Sequence, residues 1–316
     1  MLTSSVRTFT GPDQYAAAIR AVQVEMTFGR PKEFIAVLTR IDLHRLWMQR
    51  LDENGPRVAH AALTPERAIV TFLSEPGSEL IVRGDSKAGH GIIWHAVGAD
   101  YYERTSGPMC EAAMSLPVAD MAAAGAAIAG RDLGLPTRET RIVMPRRQAL
   151  AKLRRLHAAA GRLARETPGL IANPETARGL EQALMAALFG SLETGDAPED
   201  GTARRRHDVI MRRFRRALDE DPDRALYLAE LCAAIGVPER TLNACCHEQL
   251  GMGPKRYLLL RRLHLAHRAL RRAAPGTANV TEIATQFGFW HLGRFAGAYR
   301  ALFGESPSAT LRHPPI

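Results

Sequence analysis

The chain has 316 residues, 46% of them hydrophobic and 24% charged, as expected of a globular protein of about two domains. No apolar run reaches the ~18 residues of a membrane span, the N-terminus lacks a basic-then-apolar leader, and the four cysteines form no spaced framework. A cytoplasmic, reduced setting without a membrane partner is therefore expected. Charge is unevenly spread. Residues 201–316 carry 19 Lys and Arg against 10 Asp and Glu, while residues 1–200 carry 23 of each. The whole surplus of nine positive charges thus lies in the last third, which points to a polyanionic partner for that part.

In chain order, a helix is expected near Asp13 to Met26, followed by a β-rich stretch over residues 33–116. Phe34 to Leu43, Arg67 to Ser74 and Met109 to Leu116 have strand-like apolar content. Turn chemistry divides the stretch at Asn54-Gly55-Pro56, Glu75-Pro76-Gly77, Gly89-His90-Gly91 and Ser106-Gly107-Pro108. Many short strands at this spacing indicate a barrel or jelly-roll-like sandwich. Residues 117–192 then read as helical, over Pro117 to Arg131, Arg146 to Glu166 and Pro174 to Leu192. Leu150, Leu153, Leu156, Ala160 and Leu163 form one apolar stripe that could pack on the β-rich part or pair with a second copy. Glu193 to Thr202 is acidic, contains Gly and Pro and lacks large apolar residues, a linker composition. The expected organisation is a multidomain α+β chain: a domain over 1–193, a linker over 194–203 and an all-α domain over 204–316.

The basic third contains an internal repeat. Leu228 to Pro254 and Val280 to Pro307 align at an offset of 52 residues, then 53 after one extra residue in the second turn. Glu230 matches Glu282, Gly236 matches Gly288, Leu242 matches Phe295, Cys246 matches Tyr299 and Gly251 matches Gly304. Each unit reads as a short helix, a glycine stop, a tight turn and a second helix, at about 228–250 and 280–303. Asn279 with Glu282 forms a candidate capping box, whereas the first unit has Tyr227 at the matching place. Gly253-Pro254 and Ser306-Pro307 read as helix starts. A helix, a glycine turn and a second helix place the second helix in the DNA major groove. Lys255 to Arg272 reads as a linker helix of roughly 27 Å, long enough to hold two such units about one DNA turn apart. Its expected apolar face is Leu259, Leu263, Ala266 and Leu270, with Arg256, Arg261, Arg262, Arg268, Arg271 and Arg272 opposite.

At these residues the chain resembles the AraC/XylS family of bacterial transcription regulators. The most specific stretch is VTEIATQFGFWHLGRFAGAYRALFGESPSATLR, with its order IA, GF, F, Y/F, FG, SP. The resemblance covers about 206–316 and implies a seven-helix DNA-binding domain. It also implies an N-terminal effector-sensing or dimerisation domain, often a small β barrel. Implied partners are double-stranded promoter or operator DNA, an unidentified small-molecule effector and a second copy of the chain, with RNA polymerase a further candidate. In similar proteins Arg240, Asn243 and Ala244 occupy the base-reading face, with Glu239, Thr241 and His247 beside them. Arg240 suits guanine and Asn243 suits adenine. In the second unit His291, Leu292 and Arg294 start the helix and Arg300 suits a phosphate. The sequence departs from the family pattern at Cys245-Cys246, and at Gly293 and Gly297, where polar readers are usual. Specificity is therefore expected mainly from the first unit.

No catalytic, cofactor or metal site is expected. Cys245-Cys246-His247 and His264-x-x-His267 lack zinc-ligand spacing, and His44, His60, His90 and His95 lack the HxH spacing of metal-binding cupins. No phosphate-binding loop, nucleophile elbow or dinucleotide fingerprint is present. Two alternatives stay open: an enzyme fused to a DNA-binding domain, with Cys110 as its candidate nucleophile, and a protein-interaction module built on helical hairpins.

Overall fold

The computed structural model describes residues 2–29, 33–75, 77–129, 133–193, 202–220, 226–273 and 278–312. The chain divides into two compact units, Met1–Met26 with Phe34–Asp200, and Thr27–Glu33 with Gly201–Ile316. Most of the expected linker, residues 194–201, lies outside the described residues.

The N-terminal unit has two antiparallel sheets that do not close into a barrel. Its strands are β1 (Thr3–Phe9), β2 (Val22–Phe28), β3 (Ala36–Asp42), β4 (Trp47–Glu53), β5 (Arg57–Leu63), β6 (Arg67–Leu73), β7 (Leu80–Val82), β8 (Ile92–Trp94), β9 (Asp100–Thr105), β10 (Met109–Pro117) and β11 (Arg141–Val143). One sheet runs β1-β3-β4-β10-β6-β8-β11 and the other β2-β5-β9-β7. The three strands expected from apolar content correspond to β3, β6 and β10. The helix expected to reach Met26 stops early: α1 spans Pro12–Ala18 and β2 follows. The reason is local. Ile19 leaves the helical region for extended backbone (φ −73°, ψ 132°), Ala21 follows with a left-handed φ of +62°, and Val22, Val24, Met26 and Phe28 then alternate with period two.

Helices cover the seven-stranded sheet. These are α2 (Val118–Ala129), α3 (Arg147–Glu166), α4 (Pro168–Ala172) and α5 (Pro174–Glu193). The apolar stripe of α3 packs inside this unit: Leu150, Leu153 and Ala160 share one core with Met48, Val70, Phe72 and Met114 of the sheet and Leu184 and Leu188 of α5. Of the two uses expected for that stripe, packing on the β-rich part is the one seen within this unit, with Leu156 and Leu163 partly buried against the same core. Polar anchors fix the helices. The buried Glu181 carboxylate accepts from the backbone N–H groups of His44 and Arg45 at 2.9 and 3.1 Å, and Arg154 donates to the Leu73 carbonyl at 2.7 Å.

The C-terminal unit contains seven helices among the described residues: α6 (Thr202–Asp219), α7 (Leu228–Ile235), α8 (Glu239–Leu250), α9 (Pro254–Arg272), α10 (Val280–Gln286), α11 (Leu292–Phe303) and α12 (Pro307–Arg312). The start signals act as read. Asn279 accepts from the Glu282 N–H at 2.8 Å while Glu282 reaches back to Asn279 N–H at 3.3 Å, a complete capping box. At Tyr227 only the return half forms, Glu230 accepting from the Tyr227 N–H at 3.1 Å, since the phenol offers no cap there. Ser306 caps α12 by accepting from the Ala309 N–H.

The face of α9 is rotated from the sequence expectation. Leu259 is exposed, whereas Arg261 is buried and directs its guanidinium to the Leu218 carbonyl at the end of α6. A buried arginine is tolerated where it meets a helix C-terminus, whose carbonyls carry the negative end of the helix dipole.

Candidate nucleic-acid interface

Both helix pairs turn on a left-handed glycine, Gly236 (φ +70°) after α7 and Gly288 (φ +76°) after α10. A Cβ would strain either backbone, so each tight turn depends on glycine. In the first unit Leu231, Ile235, Leu242, Cys245, Cys246 and Leu250 are buried. Gln249 adds a buried hydrogen bond to Asp208 at 2.7 Å, which ties α8 to α6. With that face inward, Arg240, Asn243, Ala244 and His247 lie outward at i, i+3, i+4 and i+7, all four exposed. Arg240 has no ion-pair or hydrogen-bond partner among the described residues. Glu239 is exposed but held by Lys255 at 3.0 Å, and Thr241 is half-buried. The α8–α9 turn shapes this face. A Cβ on Gly253 would sit 2.9 Å from Asn243 Oδ1 and 3.4 Å from His247 Nε2, so the missing side chain makes room for both.

The second unit is built differently. Ile283, Ala284, Phe287, Phe289, Phe295, Tyr299 and Phe303 form an aromatic core with Leu263, Ala266 and Leu270 of α9. A hydrogen-bonded chain threads it. His267 Nδ1–H donates to Tyr299 Oη at 2.7 Å, Tyr299 donates to Thr310 at 2.8 Å, and Thr310 donates to the Glu305 carboxylate at 2.6 Å. Burial among the rings pushes the Tyr299 phenol up and keeps it neutral, and the Glu305 charge adds to this, while the hydrogen bond to Thr310 pulls the other way. His291, Leu292, Arg294 and Arg300 are exposed on α11 or at its start. Gly293 and Gly297 sit beside them, and a Cβ added at either would meet nothing within 4 Å. The two site halves thus differ: α8 presents polar side chains, α11 a partly bare backbone edged by arginines. Sequence reasoning missed Trp290, which is 70% exposed in the turn before α11 and donates its Nε1–H to Tyr227 Oη at 3.4 Å. Its neighbour Phe289 is buried under the Arg262 guanidinium, so the aromatic pair points two ways.

Cys245 and Cys246 are both buried, while His247 is exposed, so the three side chains do not converge. Burial pushes both thiols up, Cys245 to about 11. The His267 ring stacks on Phe303 and is committed to Tyr299. Among the described residues no helix is long and apolar enough to cross a membrane.

The N-terminal unit holds a second candidate site, an interior cavity between its two sheets. About 50 Å³ of it is open to the centre of a water-sized sphere, several times the ~10–15 Å³ that holds one water. Val24 and Met26 of β2, Leu51 of β4 and Ile69 of β6 form apolar walls, and Arg57, Tyr101, Glu103 and Glu111 line the same space. None of these residues was singled out from sequence. The available signal was a charged or polar residue at alternate positions of a strand, as at Tyr101, Glu103 and Thr105 of β9.

Comparison with known proteins agrees with the C-terminal geometry. Residues 231–313 match a family model described as "Helix-turn-helix domain". The "Probable thc operon regulatory protein" of Rhodococcus erythropolis is 41% identical over 99 residues, 31% of this chain and 30% of that protein. The "XylDLEGF operon transcriptional activator" of Pseudomonas putida is 37% identical over 95 residues, 30% of each chain. The match thus spans less than a third of either relative. Among solved structures, the AraC-like transcriptional activator CuxR aligns over 83% of this chain and 95% of its own, at 13% identity and a TM-score of 0.44.

Proposed function

We propose that this chain, whose C-terminal domain is an AraC-type helix-turn-helix domain, is a one-component transcription regulator of the cytoplasm that binds double-stranded promoter DNA. The observation that carries this reading is the face of α8. Arg240, Asn243, Ala244 and His247 stand exposed on one side of a helix whose other side is fully engaged. Such a helix delivers side chains to base edges while its partner helix braces it against the backbone. Arg240 then donates a bidentate pair to guanine O6 and N7, and Asn243 bridges adenine N6 and N7. Arg294 and Arg300 of α11, with His291 and Leu292, engage the second groove mainly through phosphate. Glu239, paired with Lys255, orients that lysine beside the backbone, and Thr241 adds a hydroxyl at the helix start.

The N-terminal unit senses a small molecule in its cavity, and the chain acts on RNA polymerase. Self-association uses a face other than the α3 stripe. An enzymatic role for Cys110 is disfavoured. Its thiol is buried and pushed up by that burial and by Asp52, which suppresses the thiolate a nucleophile needs.

Genome-wide mapping of bound sites, followed by titration on a recovered fragment at increasing salt, tests the reading. A reproducible site whose affinity falls steeply with salt is expected, with a slope of about −0.9 per neutralised phosphate. No enriched site, or affinity indifferent to salt, contradicts it.

A further inference from the structure

The interior cavity carries a charge imbalance. Arg57, at the start of β5, is buried, and its guanidinium is surrounded by carboxyl groups from three strands. Nε donates to Glu53 Oε2 at 2.6 Å, Nη1 lies 2.7 Å from Glu103 Oε1, and Nη2 lies 3.8 Å from Glu111 Oε2. Glu53 has a second partner in the Tyr15 hydroxyl, which donates to it at 2.9 Å. One cation therefore faces three carboxyl groups, all buried. Burying unmatched like charges is costly, and the cost is relieved either by a proton or by another cation. Glu111 bears most of it: burial first, and Glu103 beside it, push its carboxyl well above the usual range.

A second feature independently points to a missing partner. Tyr101 lines the same cavity and is 7% exposed, yet its hydroxyl has no hydrogen-bond partner among the described residues. Its ring is fixed by stacking on His95 at 4.7 Å, so the hydroxyl is held in place without being satisfied. Buried phenol hydroxyls normally find a partner.

The other polar groups of the lining are engaged. Gln49 exchanges two hydrogen bonds with the Arg20 backbone at 2.9 and 3.1 Å, and Arg20 itself grips Asp42 through both carboxylate oxygens. Thr71 is bonded to His95 at 3.0 Å. An anionic ligand would thus meet two carboxyl groups, and an arginine whose Nε is hydrogen-bonded to Glu53 and whose Nη1 and Nη2 already lie 2.7 and 3.8 Å from Glu103 and Glu111, Nη1 without hydrogen-bond alignment. We propose that this cavity binds a small organic amine as its ammonium cation, held by Glu111, Glu103 and the Tyr101 hydroxyl, with the apolar part of the ligand against Val24, Met26, Leu51 and Ile69. The ammonium supplies the second cation that the carboxyl cluster lacks, and it donates to the unpaired phenol oxygen. This inference rests on the effector-sensing reading of the N-terminal unit and gives it a ligand class.

The test uses the full-length chain and three probes of matched size, n-butylamine, n-butanol and butyrate, followed by the methyl NMR signal of Met26 and by titration calorimetry. Butylamine is expected to shift the Met26 signal saturably, with butyrate inert. Glu111→Gln should weaken the amine at least about tenfold, and Tyr101→Phe several-fold, as expected for hydrogen bonds to a charged group. Both substitutions nearly preserve shape, and circular dichroism confirms that each variant folds. Binding of butylamine that neither substitution weakens overturns the proposal. Saturable binding of butyrate or butanol in preference to the amine also overturns it, while leaving effector sensing in place. A Met26 signal that none of the three probes moves counts against both.

Discussion

The two helix-turn-helix units share one layout but divide their residues differently between inside and outside. The first invests in its surface: Arg240, Asn243 and His247 stand on α8, while its core uses small sulfur-bearing residues, Cys245 and Cys246, beside Leu242 and Leu250. The second invests in its interior. Phe287, Phe289, Phe295, Tyr299 and Phe303 pack behind α11, whose outer face carries Gly293 and Gly297. A duplicated motif need not duplicate its tasks. One copy can carry the polar outer face and the other the larger packed interior, provided the shared helix α9 joins their cores. It does so here through Leu263, Ala266 and Leu270 on one side and Tyr257 against Phe214 on the other.

The contrast can be broken most forcefully inside the cores. Phe295→Ala should destabilise the C-terminal unit by about 3–5 kcal/mol, because it removes a fully buried ring and leaves a cavity among other rings. Cys246→Ala at the matching place should cost only about 1 kcal/mol, since one sulfur atom is lost. Urea denaturation of both variants checks this, and equal losses would show that the cores are not so different. On the surface, Arg240→Ala should cost about 1–3 kcal/mol of binding to the recovered site and relax preference at one base position. Gly297→Ala should stabilise the unit by about 0.5–1 kcal/mol, because the added methyl meets open space and a helix interior prefers alanine. A destabilised Gly297→Ala would mean that the bare face of α11 is packed against something. The smallest stability effect is expected of Gly253→Ala. The new methyl would press on Asn243 Oδ1, the far end of a side chain that can swing away, so unfolding should change little. Base preference near Asn243 should nevertheless shift in a binding-site selection.

Much of the C-terminal unit was legible because its signals are local. Asn279 with Glu282, Ser306 with Pro307 and the glycines at 236 and 288 each act within a few residues, and the helices begin and end beside them. What escaped was set by distant partners. Arg261 looked like a surface residue on α9, and only the C-terminus of α6 explains why it turns inward while Leu259 turns out. The strands β4 and β5 were hidden for the same reason. Arg50, Glu53 and Arg57 interrupt any apolar alternation, although all three are buried and each has a partner far along the chain, Ser74, Tyr15 and Glu103 respectively. The cavity site was illegible on those grounds, since its carboxyl groups come together around Arg57 of β5 only when β4, β9 and β10 are assembled. The outward face of α8 could be read because helical spacing alone puts Arg240, Asn243, Ala244 and His247 together.

The division of labour between the units is tested most directly by selecting bound sequences from a random DNA library with the unaltered chain, Arg240→Ala and Arg294→Ala. The account predicts that Arg240→Ala loses preference at one position of the selected site. It predicts that Arg294→Ala recovers the same site with affinity reduced about equally for all sequences. A changed base preference in Arg294→Ala, with the site unaltered in Arg240→Ala, would contradict it.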